Sequence, residues 1–258
     1  MQRTAKWTGD YQVHSYEIGP DGHVRIQKVC NYLQDAAGCH ARELGVSVDQ
    51  LLPKGLTWVL SKLRLHMVRL PKWGEVIRIM TWPADVQRLF AIRDFRLFDE
   101  NERDIGQATT SWLLLDVARK RPVRLPAEIL KFHPEMPQRA LTINPKPIPA
   151  VERIDLEKIF QVRYSDLDLN RHVNNVSYLE WALETIPEKL DHDAWIYEFE
   201  IEFLAETVLG DEVIAQTQLV EQKSGEVLHR LQRRQDQREL VRARSCWTAD
   251  VATTIDTM

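Results

Sequence analysis

Two stretches of this 258-residue chain carry one pattern. The runs Trp58–Ile77 and Trp195–Ile214 each open on Trp, alternate apolar and polar residues, and reach a Gly followed by an acidic residue and Val-Ile. Trp to Gly takes 16 residues in the first run and 15 in the second. Further on, Ala108-x-x-Ser-Trp112 aligns with Ala243-x-x-Cys-Trp247, both ends offset by 135. Upstream, Tyr32-Leu33 matches Tyr178-Leu179. Self-similarity over so long a period marks an internal duplication, so the chain must fold as two copies of one unit.

Each copy reads as a short strand, an amphipathic helix, then long alternating strands separated by turn residues. In copy one the spacing predicts a helix over Val24 to Leu44, with Val29, Leu33, Ala36, His40 and Leu44 on one stripe and Gly45 as its C-cap. In copy two Val173, Val176, Leu179, Leu183 and Ile186 form the stripe, and Pro187 stops the helix. Strands are expected around 56–69, 75–83, 88–99 and 106–117, then 194–205, 211–221, 226–235 and 239–249. Seven of the twelve prolines fall between Pro122 and Pro149, which marks a linker. The expected domains are therefore residues 1–125, a linker over 126–152, and residues 153–258. One helix cannot cover both faces of its sheet, so two such α+β units are expected to pair edge to edge into one continuous sheet.

Bulk numbers remove some function classes. Net charge is −4, whereas a nucleic-acid binder is typically basic overall. Cys30, Cys39 and Cys246 are odd in number and have no metal-like spacing, which fits free thiols in a reducing compartment. No apolar run approaches the roughly 20 residues of a membrane span. Without a signal h-region or a long leader, a cytoplasmic protein is the expectation.

The chemistry concentrates in residues 165–175, Ser-Asp-Leu-Asp-Leu-Asn-Arg-His-Val-Asn-Asn. Asp168, Asn170 and His172 stand at i, i+2 and i+4, which in extended backbone puts all three side chains on one face. They precede a helix, whose N-terminal amides favour developing negative charge. A base, an amide and backbone donors in one place suit acyl hydrolysis. A calcium loop fails on detail, since Arg171 stands where the loop needs Gly and Ser177 where it needs Glu. No metal or cofactor is expected.

A long helix wrapped by an antiparallel sheet, twice in one chain, resembles the double hot-dog arrangement. The run from Arg163 to Pro187 is similar to the signature of the acyl-[acyl carrier protein] thioesterases. Ser15–Gly19, Asn31–Ala37, Leu70–Val76 and the stretch from Ser111-Trp112 to Arg121 are similar to that family's first half. The chain looks like a bacterial-type member. The resemblance implies that water cleaves a fatty acyl thioester from the phosphopantetheine arm of acyl carrier protein. It implies a catalytic Asp168-x-Asn170-x-His172 motif and a further acidic residue at Glu206. Thr207 stands where plant relatives often carry Cys, so a cysteine nucleophile cannot act there.

On these residues the expected scheme is attack by a water that Glu206, or else Asp168, deprotonates, with partial burial raising the carboxylate's basicity. Asn170 and helix N-terminal amides would hold the oxyanion, and His172 would orient the water, polarise the carbonyl or protonate the leaving group. Nucleophilic attack by Asp168 is the alternative. Copy one, with Glu17 and Asp21 but no amide, is expected to line the acyl pocket with Val29, Leu33, Ala37, Trp58, Leu60 and Leu63. Two basic stretches are candidates for docking the acidic carrier: Arg119-Lys120-Arg121 with Arg124, and Arg230, Arg233, Arg234, Arg238 and Arg242. The rival functions are an acyl-CoA thioesterase, a hydratase on the same fold, and a catalytically silent acyl-binding protein. A homodimer is compatible with the fold, and acyl chain length is not readable.

Overall fold

The computed structural model describes residues 6–132, 134, 139–141, 146–168, 172–186, 194–220 and 225–248. The chain divides into two units, Met1–Ile143 and Asn144–Met258. In the first, strand β1 (Trp7–Gln12) is followed by helix α1 (Ile26–Leu44), the short helix α2 (Val48–Leu51), and strands β2 (Leu56–Met67), β3 (Val76–Gln87), β4 (Phe90–Phe98) and β5 (Asp104–Asp116). A three-residue strand β6 (Arg121–Val123) and helix α3 (Ala127–Leu130) close it. Within the expected linker, therefore, Ala127–Leu130 is helical and Ile129 is buried. In the second unit β7 (Leu156–Gln161) precedes helix α4 (Asn175–Leu183) and strands β8 (Trp195–Phe203), β9 (Glu212–Leu219), β10 (Glu226–Arg233) and β11 (Glu239–Thr248).

Both units have one topology. The first orders its antiparallel strands β1-β3-β4-β5-β2, with β6 added on β5; the second orders them β7-β9-β10-β11-β8. Small details repeat as well. Trp112 Nε1 donates to Thr110 Oγ1 and Trp247 Nε1 donates to Ser245 Oγ, each at 2.8 Å. Gly74 and Gly210 both sit in left-handed backbone, at φ 89° and 88°, a conformation that costs a residue with a Cβ. Gly74 donates to the Val13 carbonyl and Gly210 to that of Val162, so each turn ties the first strand's exit to the third strand's entrance.

α1 has no side-chain cap at Arg25, so packing holds it. Val29, Leu33, Ala36, His40 and Leu44 are all buried, and Gly45 follows the helix. Each large apolar side chain so buried contributes roughly 1.5–3 kcal/mol, more than the roughly 1 kcal/mol of a typical cap. His40 Nδ1 accepts from the Arg93 guanidinium at 3.0 Å, which accounts for an imidazole on a buried stripe. α4 is shorter than its pattern predicts: it ends at Leu183, and Leu183 and Ile186 are only half-buried. Nine residues are marginal as a free helix. Asn174 caps α4, and Tyr178, Leu179 and Trp181 bury its inner face.

The expected acyl-pocket residues fall on two elements of the first unit. Val29, Leu33 and Ala37 lie on α1, and Trp58, Leu60 and Leu63 on β2. A register shift between Leu60 and Lys62 inserts one extra residue, so Leu60 and Leu63 share a face despite their odd spacing. All but Trp58 are buried. Trp58 packs beside Leu44, Val46 and Leu51 and donates Nε1 to the Val46 carbonyl at 2.8 Å.

Candidate active site

The loop between β7 and α4 is built from its backbone. Asp166, 3% exposed, accepts from Arg163 N at 2.7 Å and from the Arg163 guanidinium at 2.9 Å. Its carbonyl accepts from Asn174 N at 2.8 Å. Leu167 and Val173 pair as an isolated antiparallel bridge. Asp168 N donates to the His172 carbonyl at 2.8 Å, and His172 N donates to Asp168 Oδ1 at 3.1 Å. Asp168 and His172 are therefore brought together because the chain doubles back, and the extended arrangement expected from their spacing is not the one adopted. Asn170 lies outside the described residues.

Two amides at the helix start are already engaged by its cap. Asn174 Oδ1 accepts from Val176 N at 3.0 Å, and the Asn174 carbonyl accepts from Ser177 N at 2.9 Å. The Val176 and Ser177 amides of α4 are thus taken up by the helix's own cap, which leaves these two out of the expected oxyanion role.

Glu206 arrives from the loop that follows β8. Its carboxylate Oε2 lies 3.7 Å from His172 Nε2. Its main-chain carbonyl accepts from Arg233 Nη2 at 2.6 Å, and Arg233 also pairs with Asp211 and Asp236. Thr207 N donates to the Tyr178 hydroxyl at 3.2 Å and Ala205 N to the Leu240 carbonyl at 3.2 Å, so the loop is held on both sides of Glu206. The side chains of His172 and Glu206 are 48% and 57% exposed, so the expected partial burial of that carboxylate is not found.

Other nucleophiles are badly placed. Thr207 is 1% exposed and donates its hydroxyl to Asp211 Oδ2 at 2.6 Å. Cys246 pairs with Glu198, five residues of strand from the Val241–Phe203 pair and thus roughly 17 Å from the end of β8 that leads to Glu206. Burial pushes its thiol up to about 11, away from the reactive thiolate.

The first unit carries the same loop with different chemistry. Ile18 bridges Val24 as Leu167 bridges Val173. Gly19 N donates to the His23 carbonyl at 2.8 Å, matching Asp168 and His172. Glu17 accepts from His14 N at 2.8 Å and gives its carbonyl to Arg25 N, as Asp166 does for Arg163 and Asn174. By this correspondence Gly19 replaces Asp168, Asp21 replaces Asn170, and His23 stands for His172. Counting back from the shared turn glycines Gly74 and Gly210, Leu70 stands where Glu206 does. One imidazole survives there beside a different acid, with His23 Nδ1 3.3 Å from Asp21 Oδ2, the residue that stands in the place of Asn170. The aligned Ile18/Leu167 and Val24/Val173 pairs carry that correspondence in the sequence, on a period that the strand repeat does not share.

Residues 4–133 match the family model for the acyl-ACP thioesterase N-terminal domain, and residues 151–249 match that for the acyl-ACP thioesterase C-terminal domain. The chain belongs to the acyl-ACP thioesterase family. It is 27% identical over 255 residues to a chloroplastic acyl-[acyl-carrier-protein] hydrolase of Cuphea viscosissima, covering 92% of this chain and 61% of that protein. To the chloroplastic oleoyl-acyl carrier protein thioesterase 2 of Arabidopsis thaliana it is 31% identical over 195 residues, covering 69% of this chain and 53% of the relative. The chain thus spans between half and two thirds of the length of these plant relatives. Its fold is that of an acyl-ACP thioesterase crystal structure from Bacteroides thetaiotaomicron (TM-score 0.85, 24% identity, 95% of this chain and 98% of that one). It is equally that of the 12:0-ACP thioesterase from Umbellularia californica (TM-score 0.84, 23% identity, 95% of each chain). The architecture of this family member is the α+β double hot-dog. No helix among its described residues is long and apolar enough to cross a membrane.

Proposed function

We propose that this family member hydrolyses fatty acyl-[acyl carrier protein] thioesters to free fatty acid and holo carrier protein. The observation that carries the reading is the approach of Glu206 to His172, 3.7 Å apart on a loop pair that backbone bonds hold in place. In the proposed step a water oxygen bonds to the thioester carbonyl carbon and Glu206 takes the water's proton. His172 orients the water through Nε2. Collapse of the tetrahedral intermediate breaks the C–S bond, and the carrier's thiolate leaves and takes the proton held by Glu206, which returns that residue to its carboxylate form. Asp168 is a positioning residue, since its carboxylate closes the loop on the His172 amide. Asn170 is assigned to the oxyanion by its place in the family motif, as the Val176 and Ser177 amides of α4 are taken by the helix cap. Val29, Leu33, Ala37, Trp58, Leu60 and Leu63 are assigned to the acyl chain.

The test is release of free fatty acid from acyl-carrier-protein and acyl-CoA thioesters of several lengths by wild type and Glu206→Gln. Carrier-linked thioesters turned over faster than CoA thioesters, with loss in the variant, support the reading. A preference for CoA thioesters would transfer the activity to the acyl-CoA class, and no hydrolysis of either would sink it.

A further inference from the structure

The two arginine-rich stretches differ in what their charges face. In the second unit, Arg230 donates to Gln216, Arg233 pairs with Asp211 and Asp236, Arg234 with Glu212, and Arg242 with Glu239. Four of those five guanidiniums are thus engaged within the unit, mostly by carboxylates. The hairpin joining β5 to β6 is the reverse case. Residues 116–131 hold five cations (Arg119, Lys120, Arg121, Arg124, Lys131) against two carboxylates (Asp116, Glu128), a local +3 in a chain of net −4. Only Arg119 reaches an acid, Asp116 at 3.8 Å, while itself 80% exposed. Lys120, Arg121 and Arg124 are exposed and have no ion-pair partner among the described residues.

Apolar surface lies beside these charges. Val117 N donates to the Gly55 carbonyl, which places Lys54 and Leu52 next to the hairpin. Leu52, Val117 and Leu130 are large apolar side chains left 41%, 42% and 42% exposed. The chain neighbours of Leu52 and Leu130 line a recess formed by Leu44, Val46, Leu51, Leu56 and Ile129, with Lys54, Lys131 and one carboxylate, Glu128, in its wall. An apolar centre with a charged rim is the composition of a protein-binding face, and the rim's sign calls for an acidic partner.

We infer that the face built by Leu52, Lys54, Val117, Arg119, Arg121 and Arg124 docks the acidic surface of the acyl carrier protein. This rests on the carrier-protein reading of the function and adds where the carrier sits. The cations steer the carrier in and the recess receives an apolar side chain from it, while the hydrolytic residues themselves are untouched.

The test compares wild type, Arg121→Glu/Arg124→Glu, Val117→Asp and, as a control on the other arginine cluster, Arg238→Glu. Three quantities are read: KM for an acyl-carrier-protein thioester, turnover of the matching acyl-pantetheine thioester, and anisotropy of labelled holo carrier protein. The double variant is expected to raise KM and weaken carrier binding by about tenfold or more, with acyl-pantetheine turnover unchanged. Val117→Asp should act in the same direction and Arg238→Glu should not. Raising salt should erase most of the difference between wild type and the double variant. Unchanged carrier binding in the double variant, or no carrier binding by wild type, overturns the docking face. Holo carrier bound through the hairpin, with the acyl-carrier-protein thioester left unhydrolysed in the activity assay, would keep the face and sink the hydrolase reading instead.

Discussion

The imidazole Nε2 of His172 lies 3.7 Å from Oε2 of Glu206, and each belongs to a loop pinned by main-chain hydrogen bonds on either side. Glu206→Gln keeps the shape of the side chain and removes the proton acceptor. The expected outcome is a fall in kcat of about 10²–10⁴, the range for a lost general base. Because both side chains are about half exposed, the cost in stability should stay within about 0.5 kcal/mol, or a Tm change of roughly 2 °C. Steady-state hydrolysis and a thermal melt on the same sample check both. Adding His172→Ala to Glu206→Gln should lower kcat by much less than the product of the single losses, because the two act on one water.

Asp168 separates the two possible chemistries. Its Oδ1 accepts from the His172 amide, a role that an amide oxygen also fills. Asp168→Asn is therefore expected to keep at least about a tenth of the wild-type kcat, whereas Asp168→Ala, which opens the loop and misplaces His172, should lose about 10²-fold. Equal and complete loss in both variants would reject the positioning role and favour attack by the carboxylate itself. Trapping a mixed anhydride with hydroxylamine in the wild type would distinguish that case directly.

The first unit's copy of the loop supplies an internal control. His23 occupies the place of His172, yet Gly19 stands for Asp168 and Leu70 for Glu206. The acid His23 does face, Asp21 at 3.3 Å, stands in the place of Asn170. The loop therefore has no side-chain amide for the oxyanion and no counterpart of Glu206, and His23→Ala should leave kcat/KM within about twofold of wild type. A loss comparable with that of His172→Ala would mean that the first unit still performs chemistry.

What could be read in advance follows from how local each feature is. The buried stripe of α1 and the glycine after it are set by spacing within one helix, and they stand as the pattern predicts. The duplication is visible because repeated roles demand repeated residue types: left-handed glycines at 74 and 210, and indoles at 112 and 247 that each reach back two residues. The geometry of the site was less legible. Asp168 and His172 meet through a bridge between Leu167 and Val173, two apolar residues whose spacing says nothing of pairing. Glu206 was placed by its family motif, and its exposure depends on a loop held by Arg233 from β10, 27 residues further on. The second arginine cluster looked cationic in one dimension because its partners, Asp211 and Glu212, come from a neighbouring strand and the turn before it.

His229 sets a pH limit on the second unit. It is buried, with Nε2 2.8 Å from Ser245 Oγ and Nδ1 3.2 Å from Thr217 Oγ1, and burial depresses its pKa to about 3. In the unfolded chain the same imidazole titrates near 6.5. Between those values the unfolded state binds a proton that the folded state excludes, so stability falls as pH drops below about 6.5. At full slope the loss is about 1.4 kcal/mol per pH unit. Carboxylates that titrate near 4 add their own loss lower down, which makes pH 7 to 5 the clean window. Urea unfolding at pH 7, 6 and 5 should show the wild-type midpoint declining. His229→Gln, though less stable at pH 7, should show a flatter profile, because it has no imidazole to protonate at that position. Parallel profiles for the two proteins would mean that His229 already accepts a proton in the folded state, and the neutral, hydroxyl-paired imidazole would have to be abandoned.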